Sequence, residues 1–456
     1  MIEGHQIHIG DCLKVLKTLD DNSIDSMVTD PPAGIGFMSG GKKDHWDSDK
    51  GGPGKWRKWL ASVMKEALRV MKPGAHGLVW SLPRTSHWTG MALEMAGFEI
   101  RDTIHHTFGS GFVQGNRDMG KYVDESLKGW GTTTKKSHEV WWLIRKPVER
   151  GMTTSQNVMK WGTGAINVDG CRVVYEEGDS LKGKVFDVNK DGVYGGNSLG
   201  ESATKGFEEG TPAHDKGRWP PNTLFTHDAR CSNVCVDDCP VRELDKQSGI
   251  SKQTGSKEIK RKNKIGFQVS KVHAGTHLKD EGGASRYFPT FRYQAKPSAT
   301  EKDAGLDSLP LKSAQKLNAG GIQGRRDAKA SAAIESQGID ARGRTLIRPD
   351  GTKTLVNNFI PGFRSNNHPT VKPIALMAWL CKLITPKNGI ILDPFTGSGS
   401  TGCGAMVEGF RFCGIEMNAE FAEIAGLRIE YWKHHDLDEP RVKAPADIPG
   451  QGIMFQ

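Results

Sequence analysis

A short apolar segment near the end of the chain runs directly into a glycine-rich turn. Ile390-Ile391-Leu392 is followed by Asp393-Pro394-Phe395-Thr396-Gly397-Ser398-Gly399. Glycine permits the positive φ angles of a tight turn and lets a ligand approach the backbone closely. The segment therefore predicts a strand, a turn and the start of a helix, as in α/β proteins that bind a ligand at the carboxyl end of a strand.

Strand and helix patterns alternate on both sides of a long, irregular middle region. We expect helices at 11–19, 56–71, 91–97, 371–384, 401–408 and 419–432. We expect strands at 24–29, 77–82, 140–144, 389–392 and 411–415. The pattern predicts a doubly wound, Rossmann-like α/β sheet built from residues 1–150 and 346–435, with an irregular domain inserted at 151–345 and a tail at 436–456.

The charge of the chain is basic and unevenly distributed. Its 456 residues include 62 Lys and Arg against 53 Asp and Glu, a net charge of +9. Residues 246–280 are strongly basic, which indicates either a solvated loop or a segment that contacts phosphates. No apolar stretch of membrane-spanning length and no signal-like N-terminus is visible, so we expect a cytoplasmic protein without membrane association.

A second motif, Asp30-Pro31-Pro32, follows the expected strand at 24–29. A carboxylate oxygen of Asp30 and the rigid carbonyl of Pro31 can accept hydrogen bonds from both N–H groups of an exocyclic amine. Such an amine on an aromatic ring is a poor nucleophile because its lone pair is delocalised into the ring, so holding and aligning it would supply much of the catalysis. No Pro-Cys dipeptide is present that would supply a cysteine nucleophile for a covalent mechanism.

Together the two motifs resemble those of the DNA amino-methyltransferases, which transfer a methyl group from S-adenosylmethionine to adenine N6 or cytosine N4. The glycine turn resembles the cofactor loop of that family, and Asp30-Pro31-Pro32 resembles its Asp/Ser/Asn-Pro-Pro-Tyr signature. The catalytic motif precedes the cofactor loop, which resembles the circularly permuted β group found in bacteria and phages. The segments 9–13 and 368–373 also resemble family segments, and the resemblance covers roughly residues 5–150 and 360–432.

The resemblance implies two sets of site residues. Glu416 would take the ribose hydroxyls and Asp11 the adenine ring of the cofactor, although an aspartate at this position is also a good helix N-cap. Thr370 and Lys372 would lie near its methionine end. The implied cofactor-binding residues are Asp11, Cys12, Thr370, Lys372, Asp393, Pro394, Phe395, Gly397, Ser398, Gly399, Glu416 and Asn418. The implied catalytic residues are Asp30, Pro31, Pro32, Ala33 and Phe37.

Ala33 departs from the family signature, which places an aromatic there to stack on the flipped base. Phe37, Trp46 or Phe108 could substitute, and Phe37 is the nearest in sequence. The departure leaves a non-catalytic DNA- or cofactor-binding protein as an alternative. Asp30 favours adenine N6 over cytosine N4, and it argues against a protein-glutamine enzyme, which would carry Asn there.

The resemblance therefore implies a site-specific or relaxed-specificity adenine-N6 methyltransferase that acts on double-stranded DNA by base flipping. Cytosine-N4 and RNA methylation are the alternatives. The segments 109–112, 218–222 and 282–288 resemble segments of phage-type members of the family. This resemblance implies that the middle region recognises the target DNA. The sequence leaves open a homodimer and a companion restriction enzyme, as in restriction–modification systems.

Four of the potential metal ligands are evenly spaced in the middle region. His227, Cys231, Cys235 and Cys239 follow one another at intervals of four, and Cys171 could replace one of them. The cluster lacks the C-x2-C knuckle of most structural zinc sites, so thiols without a special role are the alternative to zinc. A zinc ion would help a domain with few apolar residues to fold.

Overall fold

The protein is described by a computed structural model. It describes residues 4–37, 46–109, 118–174, 185–186, 211–212, 217–228, 231, 235–237, 239–252, 281–291, 299–309, 312–313, 346–347, 353–354, 363–435 and 437. Three features of the sequence analysis lie wholly or largely outside these residues: the segment 110–112, the basic run from 253 to 280 and the tail after 437.

A nine-stranded sheet forms the centre of the molecule. Its strands are β1 (His5–Ile9), β2 (Ile24–Thr29), β3 (Met71–Ser81), β4 (Glu99–Thr107), β5 (His138–Arg145), β6 (Thr223–Thr226), β7 (Thr290–Phe291), β8 (Ile390–Asp393) and β9 (Arg411–Glu416). Their order across the sheet is β1-β9-β8-β2-β3-β5-β4-β6-β7. Strands from both ends of the chain therefore alternate within one sheet.

Most neighbouring strands are parallel. The five strands β1, β9, β8, β2 and β3 pair in parallel, whereas β5 runs antiparallel to both β3 and β4. The short strands β6 and β7 extend the far edge in parallel with β4. Because parallel strands end at the same edge, the residues that follow β1, β2, β8 and β9 are brought together there.

Nine helices accompany the sheet. They are α1 (Cys12–Leu16), α2 (Pro53–Val70), α3 (Ser86–Ala96), α4 (Thr154–Trp161), α5 (Pro240–Ser248), α6 (Ala299–Asp303), α7 (Ile374–Ile384), α8 (Ser400–Val407) and α9 (Ala419–Trp432), counted over the described residues. Short 3-10 helices span Pro83–Thr85, Met119–Lys121, Glu125–Leu127, Asp169–Cys171 and Ala284–Tyr287. Two-residue strand pairs join Val185–Phe186 to Thr211–Pro212, Ser251–Lys252 to Glu281–Gly282, Lys312–Ser313 to Phe363–Arg364, and Leu346–Ile347 to Lys353–Thr354.

The sheet buries an apolar core on each of its faces. Residues of α1, α2 and α3 form one core with β2 and β8, and residues of α7, α8 and α9 form the other. In α2, Trp56, Leu60 and Met64 are fully buried, as expected for an amphipathic helix with one apolar face. The predicted α/β sheet with helices on both faces is confirmed. No helix in the described part of the chain is long and apolar enough to cross a membrane.

Strand β1 was not expected from the sequence, the helix expected at 91–97 begins at Ser86, and strands β3 and β4 also differ from the expectation. Strand β3 already begins at Met71, so the expected strand at 77–82 is only its second half. Strand β4 was not expected, because Arg101 and Asp102 interrupt its apolar pattern. Its pairing with β5 and β6 places it inside the sheet, where only Ile104 and His106 are buried. The pairing of β4 with its neighbours therefore determines this strand, because its own sequence has only a weak strand pattern.

The chain beyond residue 150 still packs on the sheet core. The side-chain amide of Asn157 in α4 donates to the carbonyls of Pro73 (2.9 Å) and Thr163 (2.7 Å). Cys171 is buried, and its Sγ lies 3.9 Å from the carbonyl oxygen of Trp379 in α7. The segment 154–171 is therefore attached to the core by specific contacts.

Candidate active site

Four acidic residues at the carboxyl ends of neighbouring strands line one cavity. Asp11 follows β1, Asp30 follows β2, Asp393 ends β8 and Glu416 ends β9. The cavity has a volume of about 460 Å³, within the range of ~300–1,000 Å³ that small-molecule sites occupy. Residues from both ends of the sequence therefore share one binding site at the edge of the sheet.

Most of the predicted site residues line this cavity. Among the predicted cofactor residues these are Asp11, Cys12, Thr370, Lys372, Asp393, Pro394, Phe395, Gly397, Ser398, Glu416 and Asn418. Among the predicted catalytic residues, Asp30 and Pro32 line it. The remaining four predicted residues, all in the described part of the chain, are not among its lining: Pro31, Ala33, Phe37 and Gly399.

The turn after β8 requires glycine at two positions. Gly397 has φ +53° and Gly399 has φ +78°, both in the left-handed region. A Cβ on Gly397 would lie 2.8 Å from the imidazole of His368, and one on Gly399 would lie 2.9 Å from the Cβ of Ala425. Gly399 is also the N-cap of α8. The loop can adopt this path, with its backbone against the cavity, only without side chains at these positions.

Glu416 shapes the same turn from the neighbouring strand. Its Oε2 accepts a hydrogen bond from the Gly397 amide (2.8 Å), and its Oε1 accepts one from the Asn418 amide (2.8 Å). Burial raises the pKa of the Glu416 carboxyl, although both amides oppose the rise. The side chain of Asn418 in turn caps α9 by accepting from Glu420 N (2.9 Å). Glu416 therefore orients the glycine loop as well as lining the cavity.

Asp393 is a buried carboxyl at the floor of the site. Its Oδ1 accepts from the hydroxyl of Thr29 (2.6 Å) and from the amide of Phe395 (3.1 Å). Burial raises the pKa of Asp393 to about 6, even though hydrogen bonds from Thr29 and Thr401 lower it. A cation in the cavity would favour the charged carboxylate, so this group is suited to a positively charged ligand.

Asp30 forms a buried ion pair with Lys372. Lys372 Nζ lies 2.5 Å from Asp30 Oδ2 and 4.2 Å from the centre of the Trp80 ring. Burial alone would lower the pKa of Lys372, but the carboxylates of Asp30 and Glu139 raise it above its usual value. The lysine is therefore held as a cation beside Asp30, where it opposes the rise that burial causes in the pKa of the Asp30 carboxyl.

Glu139, which the sequence analysis did not identify, lies behind this pair. Its carboxylate accepts from Trp80 Nε1 (3.0 Å) and lies 3.2 Å from Lys136 Nζ. Burial alone would raise the pKa of Glu139, but Lys372 and Lys136 lower it to about 2. The signal in the sequence was an acidic residue at the start of an otherwise apolar strand, β5.

Aromatic side chains form one wall of the cavity. Trp46 and Trp59 both line it, and the Trp59 ring lies 5.9 Å from that of Phe395, with Lys50 Nζ 4.8 Å above Trp59. Of the three aromatics considered as substitutes at Ala33, only Trp46 lines the cavity. Phe37 is 42% exposed outside it. Phe108, the third, is buried against the ring of His106.

Asp47 fixes the loop that carries Trp46, and the sequence analysis missed it. Its Oδ1 accepts from Gly34 N (2.8 Å) and its Oδ2 from Phe37 N (2.7 Å). Its backbone carbonyl accepts from Gly36 N (2.7 Å). The buried carboxylate therefore ties the segment after Asp30-Pro31-Pro32 to the tryptophan at the cavity.

Three further predicted residues have defined local roles. Asp11 caps α1 by accepting from Lys14 N (3.0 Å) while also lining the cavity, so both interpretations of this residue are compatible with its position. Burial raises the pKa of the neighbouring Cys12 thiol to about 12, which keeps it neutral. Thr370 is exposed at the cavity mouth, where its amide donates to His368 Nδ1 (3.4 Å).

The cysteine cluster is assembled away from this cavity. The potential ligand atoms of His227, Cys231, Cys235 and Cys239 all lie within 4.8 Å of one another. His227 Nδ1 is 3.2 Å from Cys235 Sγ and 3.5 Å from Cys239 Sγ. Cys171, the alternative ligand, packs against α7 and is not part of the group.

Comparison with known proteins identifies the family. The model of the N6/N4 methyltransferase family, which is described as DNA methylase, matches residues 24–426 of this chain. This range includes both motifs and the whole region between them.

Individual relatives match over shorter segments. DNA adenine methyltransferase YhdJ of Escherichia coli (strain K12) is 38% identical over 73 residues, which are 16% of this chain and 25% of that protein. Type II methyltransferase M2.MboI of Moraxella bovis is 41% identical over 61 residues, 13% of this chain and 22% of the relative. The chain thus spans about a quarter of the length of these curated relatives. Among solved structures, PvuII DNA methyltransferase (cytosine-N4-specific) aligns with 12% identity and a TM-score of 0.41, covering 96% of this chain and 89% of that one.

Proposed function

Because the chain belongs to the N6/N4 family of DNA methylases, we propose that it transfers a methyl group from S-adenosylmethionine to the exocyclic amine of a base in double-stranded DNA. Adenine N6 is the proposed target. One observation carries the proposal: Asp30, after β2, and the glycine turn, after β8, line the same cavity although they lie at opposite ends of the sequence. The nucleophile and the methyl donor would therefore meet in one site.

The residues of the cavity fit this cofactor. S-adenosylmethionine supplies an electrophilic methyl group on a sulfonium, and it carries an ammonium, a carboxylate and two ribose hydroxyls. Asp393, with its raised pKa, suits a cationic group. Gly397 lines the cavity without a side chain, and Gly399 lets the same loop pack closely on Ala425 of α9. Glu416 and Asp11 would hold the ribose and the adenine ring.

The chain's own residues would then prepare the amine. The Asp30 carboxylate would accept one N–H of the target amino group, and the carbonyl of Pro31, which follows Asp30 in the chain but is not part of the cavity lining, is proposed to accept the other. Lys372 favours the ionised form of Asp30 and fixes its carboxylate in place by the 2.5 Å contact. Holding both N–H groups would reduce delocalisation of the lone pair and direct it at the methyl group, so positioning supplies most of the rate. The N–C bond would form as the sulfur–methyl bond breaks, the cofactor would leave as the thioether, and the proton that the amine loses would pass to the Asp30 carboxylate.

Trp46 is the proposed stacking partner of the flipped base, in place of the missing aromatic at Ala33. It lines the cavity beside Asp30, and Asp47 holds its loop in place. Base–aromatic stacking contributes about 1–3 kcal/mol per base. With Trp46 in this role, the enzyme would hold the flipped base although Ala33 replaces the aromatic residue of the family signature.

The region 151–345 is the proposed target-recognition part, inserted into a circularly permuted core. Its strands β6 and β7 extend the sheet from β4, and α5 packs beside them. Direct reading of a DNA sequence requires side chains that reach base edges in a groove, and an insertion at the sheet edge can carry them.

Methyl transfer to duplex DNA with labelled cofactor tests the proposal directly. We expect transfer by the full chain and by Asp20→Ala, a matched change of an exposed aspartate, and loss of transfer in Asp30→Ala. Calorimetry with S-adenosylmethionine would verify that Asp30→Ala still binds cofactor. No transfer to any DNA, with cofactor still bound, would instead identify a non-catalytic binding protein.

The product and the substrate are identified in the same assay. Nucleoside mass spectrometry separates N6-methyladenine, which we expect, from N4-methylcytosine. Competition between duplex DNA and structured RNA tests the nucleic acid, and modification-aware sequencing of DNA from expressing cells reveals the recognition site. The stoichiometry of protein on the duplex distinguishes a monomer from a homodimer.

A further inference from the structure

Four soft ligands are gathered at the far edge of the sheet from the cavity strands. His227 directly follows β6, and Cys239 is the N-cap of α5, which begins with Pro240. Cys231 and Cys235 lie on the loop between them. The ligand atoms of the four residues all lie within 4.8 Å of one another. We propose that these side chains bind one structural zinc ion.

The distances match a tetrahedral zinc site. Zinc binds sulfur at about 2.3 Å and nitrogen at about 2.0–2.1 Å, so tetrahedral geometry places a sulfur about 3.6 Å from a nitrogen ligand. The observed separations between His227 Nδ1 and the sulfurs of Cys235 and Cys239 are 3.2 and 3.5 Å. The four ligand atoms lie within 4.8 Å of one another, against about 3.8 Å between two sulfurs of a tetrahedral zinc site, so movements of up to about 1 Å would complete the coordination sphere.

The chemistry of the four ligands favours zinc over common metal ions such as magnesium and calcium. Three thiolates and one imidazole are soft ligands that suit zinc, whereas magnesium and calcium prefer oxygen. The set also fills all four tetrahedral positions, which is typical of a structural rather than a catalytic zinc. A role in methyl transfer is not required of this site.

Polar contacts hold the described residues of the loop that carries the ligands. Residues 227–239 contain few apolar side chains, and of the ligands only Cys239 is fully buried. Arg242 of α5 donates to the Cys235 carbonyl (3.0 Å) and pairs with Asp237 (2.6 Å). Exposed ion pairs contribute little by themselves, and a bound metal would add its binding free energy to the stability of this loop.

The ion would connect the sheet to the inserted region. On one side of the cluster, His106 of β4 contacts the hydroxyl of Thr226, the last residue of β6 (2.5 Å). On the other side, Asp245 of α5 accepts from the amide (2.7 Å) and hydroxyl (2.6 Å) of Ser285. The segment 281–291 then returns to the sheet as β7. Zinc at this junction would therefore fix α5 and the segment 281–291 relative to the sheet.

Metal content and cobalt substitution test the site on the full chain. The protein is purified without an affinity tag under reducing conditions with zinc supplied, and its zinc is measured by mass spectrometry. We expect about one zinc per chain. Replacement by cobalt(II) should give the visible bands of a tetrahedral site and a thiolate-to-cobalt charge-transfer band. A wild-type chain with no stoichiometric zinc and no such bands would overturn the proposal.

Variants locate the ion on these residues. The double change Cys231→Ser and Cys235→Ser should lose the zinc, whereas Cys171→Ser, a matched change of a cysteine outside the group, should retain it. Retention of zinc by the double variant would refute the assignment. The cobalt spectrum of the wild-type chain decides the question even if the double variant does not fold.

Amide hydrogen exchange then reads out the structural role. Removal of zinc with a chelator should increase exchange in β6 and α5 while leaving that of α8, beside the cavity, unchanged. Binding of S-adenosylmethionine should also be retained, so this outcome is independent of the proposed function. Unchanged exchange in β6 and α5 after complete zinc removal would show that the ion does not hold the junction.

Discussion

The carboxyl of Asp393 makes cofactor affinity dependent on pH. In the free protein, burial raises the pKa of Asp393 to about 6. A nearby positive charge stabilises the carboxylate and lowers this pKa, so binding of S-adenosylmethionine is coupled to the loss of a proton from Asp393 below pH 6. Affinity should therefore increase as the pH rises through about 6 and then become constant.

The size of the effect follows from the two pKa values. If the bound cofactor returns Asp393 to its ordinary pKa of about 3.9, linkage predicts that the association constant increases about tenfold between pH 5 and pH 7. His368 does not contribute, because burial lowers its pKa to about 3. The stability of the free protein changes with pH in the opposite direction. Because the pKa of Asp393 is raised in the folded state, the free energy of unfolding should decrease as the pH rises from about 4 through about 6.

Titration calorimetry at pH 5, 6, 7 and 8 measures the affinity, with Asp393→Asn as the variant. Asparagine keeps an oxygen to accept from Thr29 and Phe395, but it does not titrate in this range. We expect the variant to bind more weakly at pH 7 and to lose most of the pH dependence. Any pH dependence of the affinity that remains in the variant reflects the titration of Asp30 and Glu416, because burial also raises their pKa values. An equal affinity of the wild-type chain at pH 5 and pH 7, or a tenfold change that persists in Asp393→Asn, would refute the coupling.

Three further changes test the cavity. Trp46→Ala should raise the KM for DNA by about 5- to 150-fold, since stacking contributes about 1–3 kcal/mol, while steady-state kinetics show a smaller change in the KM for the cofactor, whose cavity Trp46 also lines. Asp47→Ala leaves two loop amides without their acceptor, so urea denaturation should show a loss of about 1–3 kcal/mol, against little change for the exposed Asp49→Ala. Gly399→Ala should weaken cofactor binding at least about tenfold, because it adds a 2.9 Å contact to the strain of a positive φ. Gly409→Ala has the same strain but no atom within 4 Å, so calorimetry should give a cofactor affinity equal to that of the wild-type chain.

The sequence contained most of the fold because its two ends have regular patterns. The expected strand at 24–29 and helix at 419–432 have the observed bounds, and the glycine turn lies between a strand and a helix as predicted. Strand β4 could not be predicted in the same way, since its polar residues gain their strand geometry from pairing with β5 and β6.

The sequence by itself determined the motifs: an acid before two prolines, a glycine turn that tolerates no side chain, and four evenly spaced ligands. Only the tertiary structure decided which of them meet. Parallel pairing of β2 with β8 brings Asp30 to the glycine turn, and the packing of β5 adds Glu139 behind Lys372. The position of Asp47 is likewise determined by contacts between loops. Through these contacts Trp46, and not Phe37, reaches the cavity. Local patterns encode turns and helices, but a buried charge or a shared cavity depends on residues that are distant in sequence, and their proximity is fixed only when the sheet forms.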